Sequence, residues 1–415
     1  MLKNFRIFEH LKQKAMRETF LEKKDNKNSL LKKTILFLCI EHGEHSIASI
    51  SDVIGASVPT TTKLIGELMD EGFMIDMGKS GTSGGRRPSI YGLNPAAGYF
   101  VGIHIRNSHA SIAVTDFKGG LISFQDDLPF HMEASEQSVH QIATTVRTYL
   151  DGENLDWSRV MGLGVSLPGR VNPVTGYSNN YPFDRERPIS QILQEDLDVH
   201  VVLENDSRAM TYGEYMGGGL KEKNMLFVNV SWGLGMGMVL DGHLYYGTSG
   251  FSGEFGHFPL LDNGQICRCG KIGCLETGAS GNALVRMVGE KLEAGKASTL
   301  LRKYRADGRV NMNDIFTAIR SEDTLAIETV EKLGTNLGRG LAGLINIFNP
   351  ELVVIGGKVA VAAGDYLMLP IRTAIKRHIL NIANQDTVIK RTQLKQKAAP
   401  IGAALLVRSR MLGIL

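Results

Sequence analysis

The sequence lacks the long hydrophobic runs that a membrane-spanning helix needs. No stretch of about 18 apolar residues occurs among its 415 residues, so we expect no membrane-spanning helix. The opening segment MLKNFRIFEHLKQKAMRETFLEKK has no apolar core followed by a small-residue cleavage site, which argues against a secretory signal. These two absences predict a cytoplasmic protein whose thiols stay reduced.

Net charge is also small, at +3, but it is unevenly distributed. Residues 1–35 carry ten basic and four acidic side chains, so the rest of the chain is slightly acidic. A basic end on a near-neutral body is typical of a protein that contacts a polyanion. A solvated helix face or a loose tail explains the same excess, and charge alone favours that simpler reading.

Cysteine is scarce, and three of the four cysteines lie together. Cys267, Cys269 and Cys274 follow His257 in the pattern H-x9-C-x-C-x4-C. Three thiolates and one imidazole fill a tetrahedral zinc shell and leave no position for water, which predicts a structural zinc ion rather than a catalytic one. The alternative is three buried free thiols near a core histidine. Cys39 stands apart from this cluster.

The length and the pattern of elements predict several domains. A chain of 415 residues exceeds one ordinary domain, and its 43% hydrophobic content is typical of a globular protein. After Asn94-Pro95, β-rich runs separated by turn signals give way to alternating helices and strands. This order predicts an α/β protein of two similar halves with a ligand cleft between them.

The segment before Pro95 has the pattern of a DNA-binding motif. We predict a helix over 30–41, a helix over 47–54, a turn, a helix over 58–71 and a strand over 73–77. In a helix-turn-helix the second helix enters the major groove. Its early residues would reach phosphates and base edges, and a Gly-Arg loop would contact the backbone or the minor groove. The candidate contacts are Thr60, Thr61, Thr62, Lys63, Arg86 and Arg87. A small helical dimerisation domain is the alternative.

Two carboxylates near the cysteine cluster could bind hydroxyl groups. Glu254 lies three residues before His257, and Glu276 follows Cys274 closely enough for a metal to bring it to the same place. A carboxylate beside a metal-bound histidine is well placed to accept hydrogen bonds from sugar hydroxyls. Each could equally be a surface group or a support for the metal ligands.

Two further segments leave their roles open. Asn205 and Asp206 end a predicted strand and could face a ligand, although capping the next helix explains them more simply. A Gly-rich turn at Gly233, Gly235 and Gly237 could cradle phosphate through backbone N–H groups or could be merely a tight hairpin.

Taken together, these segments resemble the ROK family of repressors, open reading frames and sugar kinases. The segment GHFPLLDNGQICRCGKIGCLETGAS is similar to the family's zinc signature, LENDSRAMTYGE to its catalytic-aspartate segment, and INIFNPELVVIGG to its C-terminal nucleotide-side segment. The resemblance implies two α/β lobes with an actin- and hexokinase-like (ribonuclease H-like) fold. A winged-helix domain ahead of these lobes, with the segment GGRRP, is typical of the family's regulator branch.

The resemblance implies specific roles for residues of this sequence. It implies zinc on His257 and the three clustered cysteines, and it implies dimers or tetramers, which suit a two-part operator. In family kinases the residue matching Asp206 is the general base that takes a proton from the sugar hydroxyl. Sugar contacts are implied for Asn205, Asp206, Glu254, His257 and Glu276.

One stretch departs from the kinase pattern. Family kinases carry an Asp-x-Gly-Gly-Thr type loop after the first strand, which handles ATP phosphate and magnesium. Here His104 stands for the aspartate, Arg106 and Asn107 stand for the glycines, and Ser231-Trp232 replaces a second Gly-Thr pair. This departure predicts a regulator in which Asp206 accepts a sugar hydroxyl, with phosphoryl transfer lost.

The sequence therefore predicts a sugar- or sugar-phosphate-responsive repressor of carbohydrate-metabolism genes that binds a double-stranded DNA operator as a homodimer or homotetramer. An ATP-dependent sugar kinase with an added DNA-binding head is the alternative, and regulation by a bound partner protein is a third reading. The predicted domains are a basic extension over 1–30, a winged helix-turn-helix over 31–94 and a two-lobed sugar-binding domain over 95–415.

Overall fold

The computed structural model describes residues 27–79, 88–106, 108–181 and 187–415. Most of the predicted basic extension lies outside the described residues. The chain divides into two compact units. The first unit runs to Ala209 and also includes Ala399–Leu415, and the second unit is Met210–Ala398.

The first unit begins with three helices and a small three-stranded sheet, which together we name the head (27–79 and 88–94). Its strands are ordered β1-β3-β2 and are antiparallel. The elements are α1 (Lys27–His42), β1 (His45–Ser46), α2 (Ile47–Ile54), α3 (Val58–Asp70), β2 (Met74–Lys79) and β3 (Ser89–Leu93). The predicted helix, turn, helix and strand are confirmed to within a few residues.

Local side chains set the turn between α2 and α3. Ser46 caps α2 by accepting the Ser49 N–H, and Gly55 ends this helix in the left-handed region at φ 62°. Ser57 caps α3 by accepting the Thr60 N–H, and Pro59 occupies its first turn, where no N–H is needed. The turn therefore follows from residues that the sequence places at the correct positions.

The apolar core of the head continues into the rest of the first unit. Leu36, Ile50 and Leu68, one from each helix, share a single buried cluster with Phe117 and Met411. The Phe73 ring lies 5.3 Å from the Phe117 ring, centroid to centroid. The head is thus packed against the remainder of the first unit through a common core.

The remainder of the first unit is built on a five-stranded sheet of order β10-β7-β4-β5-β6. Strands β4, β5 and β6 are antiparallel, β7 pairs with β4 in parallel, and β10 pairs with β7 in parallel. The larger elements are β4 (Tyr99–Ile105), β5 (His109–Asp116), β6 (Leu121–Pro129), α4 (Glu136–Gly152), β7 (Val160–Leu167), β8 (Val171–Asn172), β9 (Tyr177–Ser178), α5 (Ile189–Leu197) and β10 (His200–Asn205). Helix α6 (Asp206–Tyr212) follows and passes into the second unit.

The second unit repeats this connectivity. Its sheet has the order β13-β12-β11-β14-β15, with three antiparallel strands followed by two that add in parallel to the first. Its strands are β11 (Met225–Val230), β12 (Leu234–Leu240), β13 (His243–Leu244), β14 (Leu352–Gly356) and β15 (Val388–Arg391). Two similar α/β halves were predicted, and the matching strand orders confirm them.

Helices of the second unit cover its sheet, and α11 supplies much of the core. They are α7 (Glu276–Ala279), α8 (Gly281–Glu293), α9 (Leu301–Asp307), α10 (Met312–Arg320), α11 (Thr324–Phe348), α12 (Lys358–Ala363), α13 (Asp365–His378) and α14 (Ala383–Asp386). A π-helical turn, Gly213–Gly217, follows α6. The last helix, α15 (Ala398–Met411), returns the chain to the first unit. In the described residues no helix is long and apolar enough to cross a membrane.

Two glycines let α15 lie directly on the first sheet, and this contact yields a stability prediction. A Cβ at Gly164 would stand 1.9 Å from the Ala403 carbonyl oxygen, which is backbone and has no room to move. We expect Gly164→Ala to cost on the order of 3 kcal/mol or more in the free energy of unfolding. Gly289→Ala on α8 meets nothing within 4 Å and should be neutral or slightly stabilising. Urea unfolding of both variants compares them, and equal midpoints would contradict the packing described.

Candidate functional site

A tight loop in the second unit brings four metal-binding side chains together. A short 3-10 turn, Phe255–His257, presents His257, and isolated bridges pair Pro259 with Cys274 and Ile266 with Ile272. Gly270 and Gly273 adopt φ of 83° and 88°, so the backbone can curl inside these bridges. The spacing read from the sequence thus becomes one compact cluster.

The geometry of this cluster fits a tetrahedral ion. The ligand atoms of His257, Cys267, Cys269 and Cys274 all lie within 4.8 Å of one another, and the four cysteines of the chain are free. Cys269 Sγ is 3.6 Å from Cys274 Sγ, and Cys267 Sγ is 3.6 Å from His257 Nδ1. Metal–sulfur bonds of about 2.3 Å in a tetrahedron separate the sulfurs by about 3.8 Å. The cluster could therefore bind a metal ion.

The electrostatics of the cluster favour a cation. Burial raises the pKa of the Cys274 thiol to about 12, with the thiols of Cys269 and Cys267 adding to the rise, and burial also raises the pKa of Cys267. A backbone hydrogen bond from Lys271 lowers the pKa of Cys269. Three thiolates packed this closely need a positive charge among them. A bound divalent ion would supply it and would hold all three thiols deprotonated.

The cluster also fixes the two carboxylates that the sequence placed nearby. The Nε2 of His257 lies 3.5 Å from a Glu254 carboxylate oxygen, while Nδ1 faces Cys267. One Glu276 oxygen accepts the Leu234 N–H at 3.0 Å, and the other is 3.9 Å from Cys267 Sγ. A metal at the cluster would therefore orient both carboxylates.

The Gly-rich hairpin differs from the predicted phosphate loop. Gly235 and Gly237 belong to β12 and pair with Asn229 and Phe227 of β11, so they are strand residues. Alternating glycines resemble a loop in sequence, but the strand ladder determines their conformation. Gly233 alone of the three lies in the turn, beside Trp232, a residue that is 44% exposed.

Carbonyls and one N–H of this turn have partners within the second unit. The Ser231 carbonyl accepts the Gly281 N–H, and the Trp232 carbonyl accepts the Asn282 N–H. The Leu234 N–H donates to Glu276. These bonds tie the turn to the start of α8 and to the cysteine loop.

In the first unit, Asn205 and Asp206 stand at the carboxyl end of β10. Asp206 Oδ1 accepts the Ser207 N–H at 2.7 Å, and the Asn205 side chain donates to the Gly169 carbonyl at 2.8 Å. Asn205 Oδ1 also accepts the Arg208 N–H, so the helix-capping alternative holds for this residue. Burial raises the pKa of Asp206 to about 6, against hydrogen bonds that lower it.

The hairpin that replaces the kinase-type loop is held by polar contacts to neighbouring strands. His104 Nδ1 lies 3.2 Å from Ser166 Oγ on β7. Arg106 pairs with Asp126 at 2.7 Å, and the Ser111 hydroxyl donates to the same carboxylate. Asn107 lies outside the described residues. His104, which the resemblance predicted to stand for the kinase aspartate, is thus hydrogen-bonded within the sheet.

Helix α3 exposes part of the predicted DNA-contacting set. Thr60, Thr62 and Lys63 are exposed, and the Lys63 side chain is 72% accessible. Thr61 is fully buried, and its hydroxyl donates to the Ser57 carbonyl. The prediction for Thr61 is therefore corrected, because its side chain faces the core of the head. Arg86 and Arg87 lie outside the described residues.

The match to known proteins decides the family. The ROK family model matches residues 100–410, three quarters of the chain. The chain belongs to the ROK family.

Relatives of this ROK chain include repressors and kinases. The xylose repressor of Bacillus subtilis (strain 168) is 27% identical over 397 residues, covering 94% of this chain and 96% of that protein. A glucokinase of Halalkalibacterium halodurans is 30% identical over 315 residues, covering 75% of this chain and 95% of the kinase. A crystal structure of a ROK family transcriptional regulator, a homolog of the E. coli MLC protein, aligns with a TM-score of 0.77 at 25% identity, covering 98% of both chains.

Coverage separates the two classes of ROK relative. The repressor and the regulator structure match nearly the whole chain, including the head, whereas the glucokinase accounts for three quarters of it. The described structure has the actin- and hexokinase-like two-lobed fold that the sequence predicted, preceded by a helical head.

Sequence reasoning missed two arginines of this ROK chain. Arg208 Nε donates to Glu204 at 2.7 Å, and both side chains are buried. Glu204 ends strand β10 and Arg208 lies in the first turn of α6, so the pair spans a strand-to-helix junction that helical spacing does not predict. Arg410 lies 3.8 Å from the other Glu204 oxygen, and no local pattern relates residues so far apart in sequence.

Proposed function

We propose that this chain is a sugar-responsive transcriptional repressor of carbohydrate-metabolism genes, which binds operator DNA through the head. The observation that carries the proposal is coverage. A repressor matches the chain through the head, while a kinase relative of similar identity leaves a quarter of it unmatched. The exposed Thr60, Thr62 and Lys63 on α3 give the head a surface suited to phosphates and base edges. Arg86 and Arg87 join them in the proposal.

The effector is a sugar or a sugar phosphate. We assign hydroxyl contacts to Asn205 and Asp206 in the first unit and to Glu254, His257 and Glu276 in the second. Support comes from the carboxylates fixed beside the cysteine cluster and from Asp206, which is held at the end of a strand where ligand-binding groups often stand. Paired copies of the chain, as a homodimer or homotetramer, would place two heads on a two-part operator.

The metal is a structural zinc ion held by His257, Cys267, Cys269 and Cys274. A full shell of three thiolates and one imidazole leaves no site for water, so the ion supplies stability and orientation. Within this arrangement the chain itself presents Glu254 through His257 and presents Glu276 against the turn at Leu234.

The alternative function is an ATP-dependent sugar kinase. The kinase relative and the retained Asp206, with its raised pKa, favour it. Against it stand His104 in place of a metal-binding carboxylate and the exposed Trp232 in the turn that would approach nucleotide. Sugar-dependent release of ADP from ATP–magnesium decides between the two, and clear turnover would put the kinase first.

A ligand screen tests the sugar-binding part of the proposal. Thermal unfolding of the full chain is followed with D-xylose, D-glucose, N-acetyl-D-glucosamine, the 6-phosphates of the last two, and ATP–magnesium. A ligand that binds the folded state raises the midpoint by mass action. We expect a rise with one sugar class and none with ATP–magnesium. Absence of a rise with every sugar would contradict the proposal.

Sugar affinity should fall at acid pH because of Asp206. Its pKa of about 6 means that the carboxylate, which accepts the sugar hydroxyl, is present above that pH and is lost below it. We expect affinity to drop about tenfold between about pH 7.5 and about pH 5, measured by calorimetry with the sugar found in the screen.

Two variants separate protonation of Asp206 from the other effects of acid on sugar binding. Asp206→Asn should bind weakly at every pH, with a flat profile, whereas Asp151→Asn on the exposed face of α4 should keep the wild-type profile. Metal content is measured in the same samples. A wild-type affinity that stays constant while the metal is retained would contradict the role given to Asp206.

A further inference from the structure

The C-terminal helix α15 is fixed within the first unit along nearly its whole length. It crosses β4 and β7 at glycines: a Cβ at Gly102 would stand 1.9 Å from the Pro400 carbonyl oxygen, and one at Gly164 equally close to that of Ala403. From residue 399 to residue 412 every side chain is buried except that of Arg410, which is partly exposed. Because the backbones are in direct contact with no free space between them, a displacement of these strands moves the helix.

The end of α15 enters the core of the head. Met411 and Leu412 belong to the same buried cluster as Ile35 and Leu36 of α1. A Cβ at Gly413 would lie 3.7 Å from the Lys33 side chain, so the chain beyond the helix also touches α1. Helix α15 therefore contacts both the central sheet and the first helix of the head.

Arg408 strengthens the connection between α15 and the head. Its guanidinium donates to the carbonyls of Phe117 at 3.3 Å and Lys118 at 2.7 Å. Both residues then contact the head: the Phe117 ring packs on Phe73, and the Lys118 ammonium pairs with Glu44 at 2.8 Å. The turn after β5 is thus held by α15 on one side and by the head on the other.

Arg410 connects α15 to the end of β10. It lies 3.8 Å from a Glu204 oxygen and donates to the Pro173 carbonyl at 3.0 Å. Glu204 is 1% exposed, and its other oxygen accepts the N–H of Asn205 at 2.8 Å. One buried carboxylate therefore touches both α15 and the backbone of Asn205, one of the residues proposed to bind the sugar.

From these contacts we infer that Glu204 and Arg410 are positioning residues that couple the ligand residues Asn205 and Asp206 to the head through α15. The inference rests on the proposed function and specifies how that site is regulated. A sugar that binds one position of β10 better than another shifts the Glu204–Arg410 contact, and α15 carries the shift into the core of the head. Ligand and DNA then change each other's affinity by one reciprocal factor.

Arg410→Gln is the informative variant. It leaves Glu204 paired with Arg208 at 2.7 Å, so no buried carboxylate loses its charge partner. Glu204→Gln would instead leave the buried Arg208 without its carboxylate and risks unfolding the unit. Arg410→Lys keeps the positive charge and should restore part of the coupling. Arg372→Gln is the control, because Arg372 is an exposed arginine of α13 that also donates to a backbone carbonyl.

The measurement is the ratio of DNA dissociation constants with and without sugar. The DNA is the duplex that the full-length protein selects from a random pool, and the sugar is the member of the panel above that changes wild-type DNA affinity. We expect Arg410→Gln to lower this ratio at least fivefold while it still binds DNA and sugar separately, a size within the usual range for allosteric coupling. Arg372→Gln should keep the wild-type ratio.

The outcomes separate this inference from the proposed function. A wild-type protein whose DNA affinity no sugar in the panel changes would overturn the proposed function, and the inference with it. A responsive wild type with an equally responsive Arg410→Gln would overturn the inference alone. Loss of DNA binding in both Arg410→Gln and Arg410→Lys, at unchanged thermal midpoint, would also contradict it, because the arginine would then act on DNA binding itself.

Discussion

Removing one cysteine of the metal cluster is expected to abolish metal binding and to destabilise the second unit strongly. In Cys274→Ser the zinc content should fall from about one ion per chain to near zero, since the remaining three ligands no longer close the shell. Cys274 is 2% exposed and lies within a loop that is held, apart from the cluster, by two isolated bridges and backbone hydrogen bonds. Because the unfolded chain has no preformed site, the free energy of binding a structural ion adds to the stability of the folded state. We therefore expect the thermal midpoint to drop on the order of 10 °C or more.

Elemental analysis and thermal unfolding check this prediction, and the chain supplies its own control. Cys39→Ala removes the fourth cysteine, which is buried in the head and belongs to no ligand set. It should keep the full zinc content and lose only the stability expected of a small core truncation. Protein purified without chelator that holds no metal, with Cys274→Ser melting at the wild-type temperature, would show that the cluster is a set of free thiols.

The second large effect is expected on DNA binding. Thr62→Ala combined with Lys63→Ala removes an exposed hydroxyl and an exposed cation from α3 while leaving its buried face intact. Loss of two such contacts should weaken operator binding by roughly 100-fold, if each contributes about 1.4 kcal/mol, which corresponds to a tenfold change in affinity. If Lys63 meets a phosphate, the slope of log affinity against log salt should decrease by about 0.9.

A matched pair elsewhere tests whether the effect belongs to α3. Thr335 on α11 donates its hydroxyl to the carbonyl four residues earlier, as Thr62 does, and Lys332 is an exposed lysine on the same helix. Lys332→Ala combined with Thr335→Ala should leave operator affinity and its salt dependence unchanged. Fluorescence anisotropy with a labelled duplex measures both variants, and equal affinities for the two would exclude α3 as the DNA-contacting helix.

The elements that the sequence predicted best are those with strong local signals. Ser46 and Ser57 as caps, Gly55 as a stop and Pro59 in a first turn define α2 and α3 almost to the residue. The spacing of the cysteines likewise needed only a tight loop to become a cluster. Local chemistry determines such features, so they can be read without knowing the rest of the fold.

Other features depended on information that short motifs do not contain. In the sequence, Thr61 looks equivalent to the threonines on either side of it. With Leu64, Ile65 and Leu68, however, it forms the i, i+3, i+4, i+7 stripe that faces the core. That helical spacing was visible in the sequence. Gly235 and Gly237 resemble a loop until strand β11 is placed beside them. The approach of Arg410 to Glu204 arises only when the last helix crosses the first sheet, and no sequence window spans that distance.

The central claim is that a sugar changes the affinity of this chain for DNA, and one titration tests it most directly. The full-length protein is titrated onto its selected duplex at fixed salt, with and without the sugar that raises its thermal midpoint. For a repressor released by its effector, we expect the sugar to weaken DNA binding about fivefold or more. Tight sequence-specific binding that no sugar alters would contradict the account, and so would the absence of specific DNA binding alongside sugar-dependent ADP release.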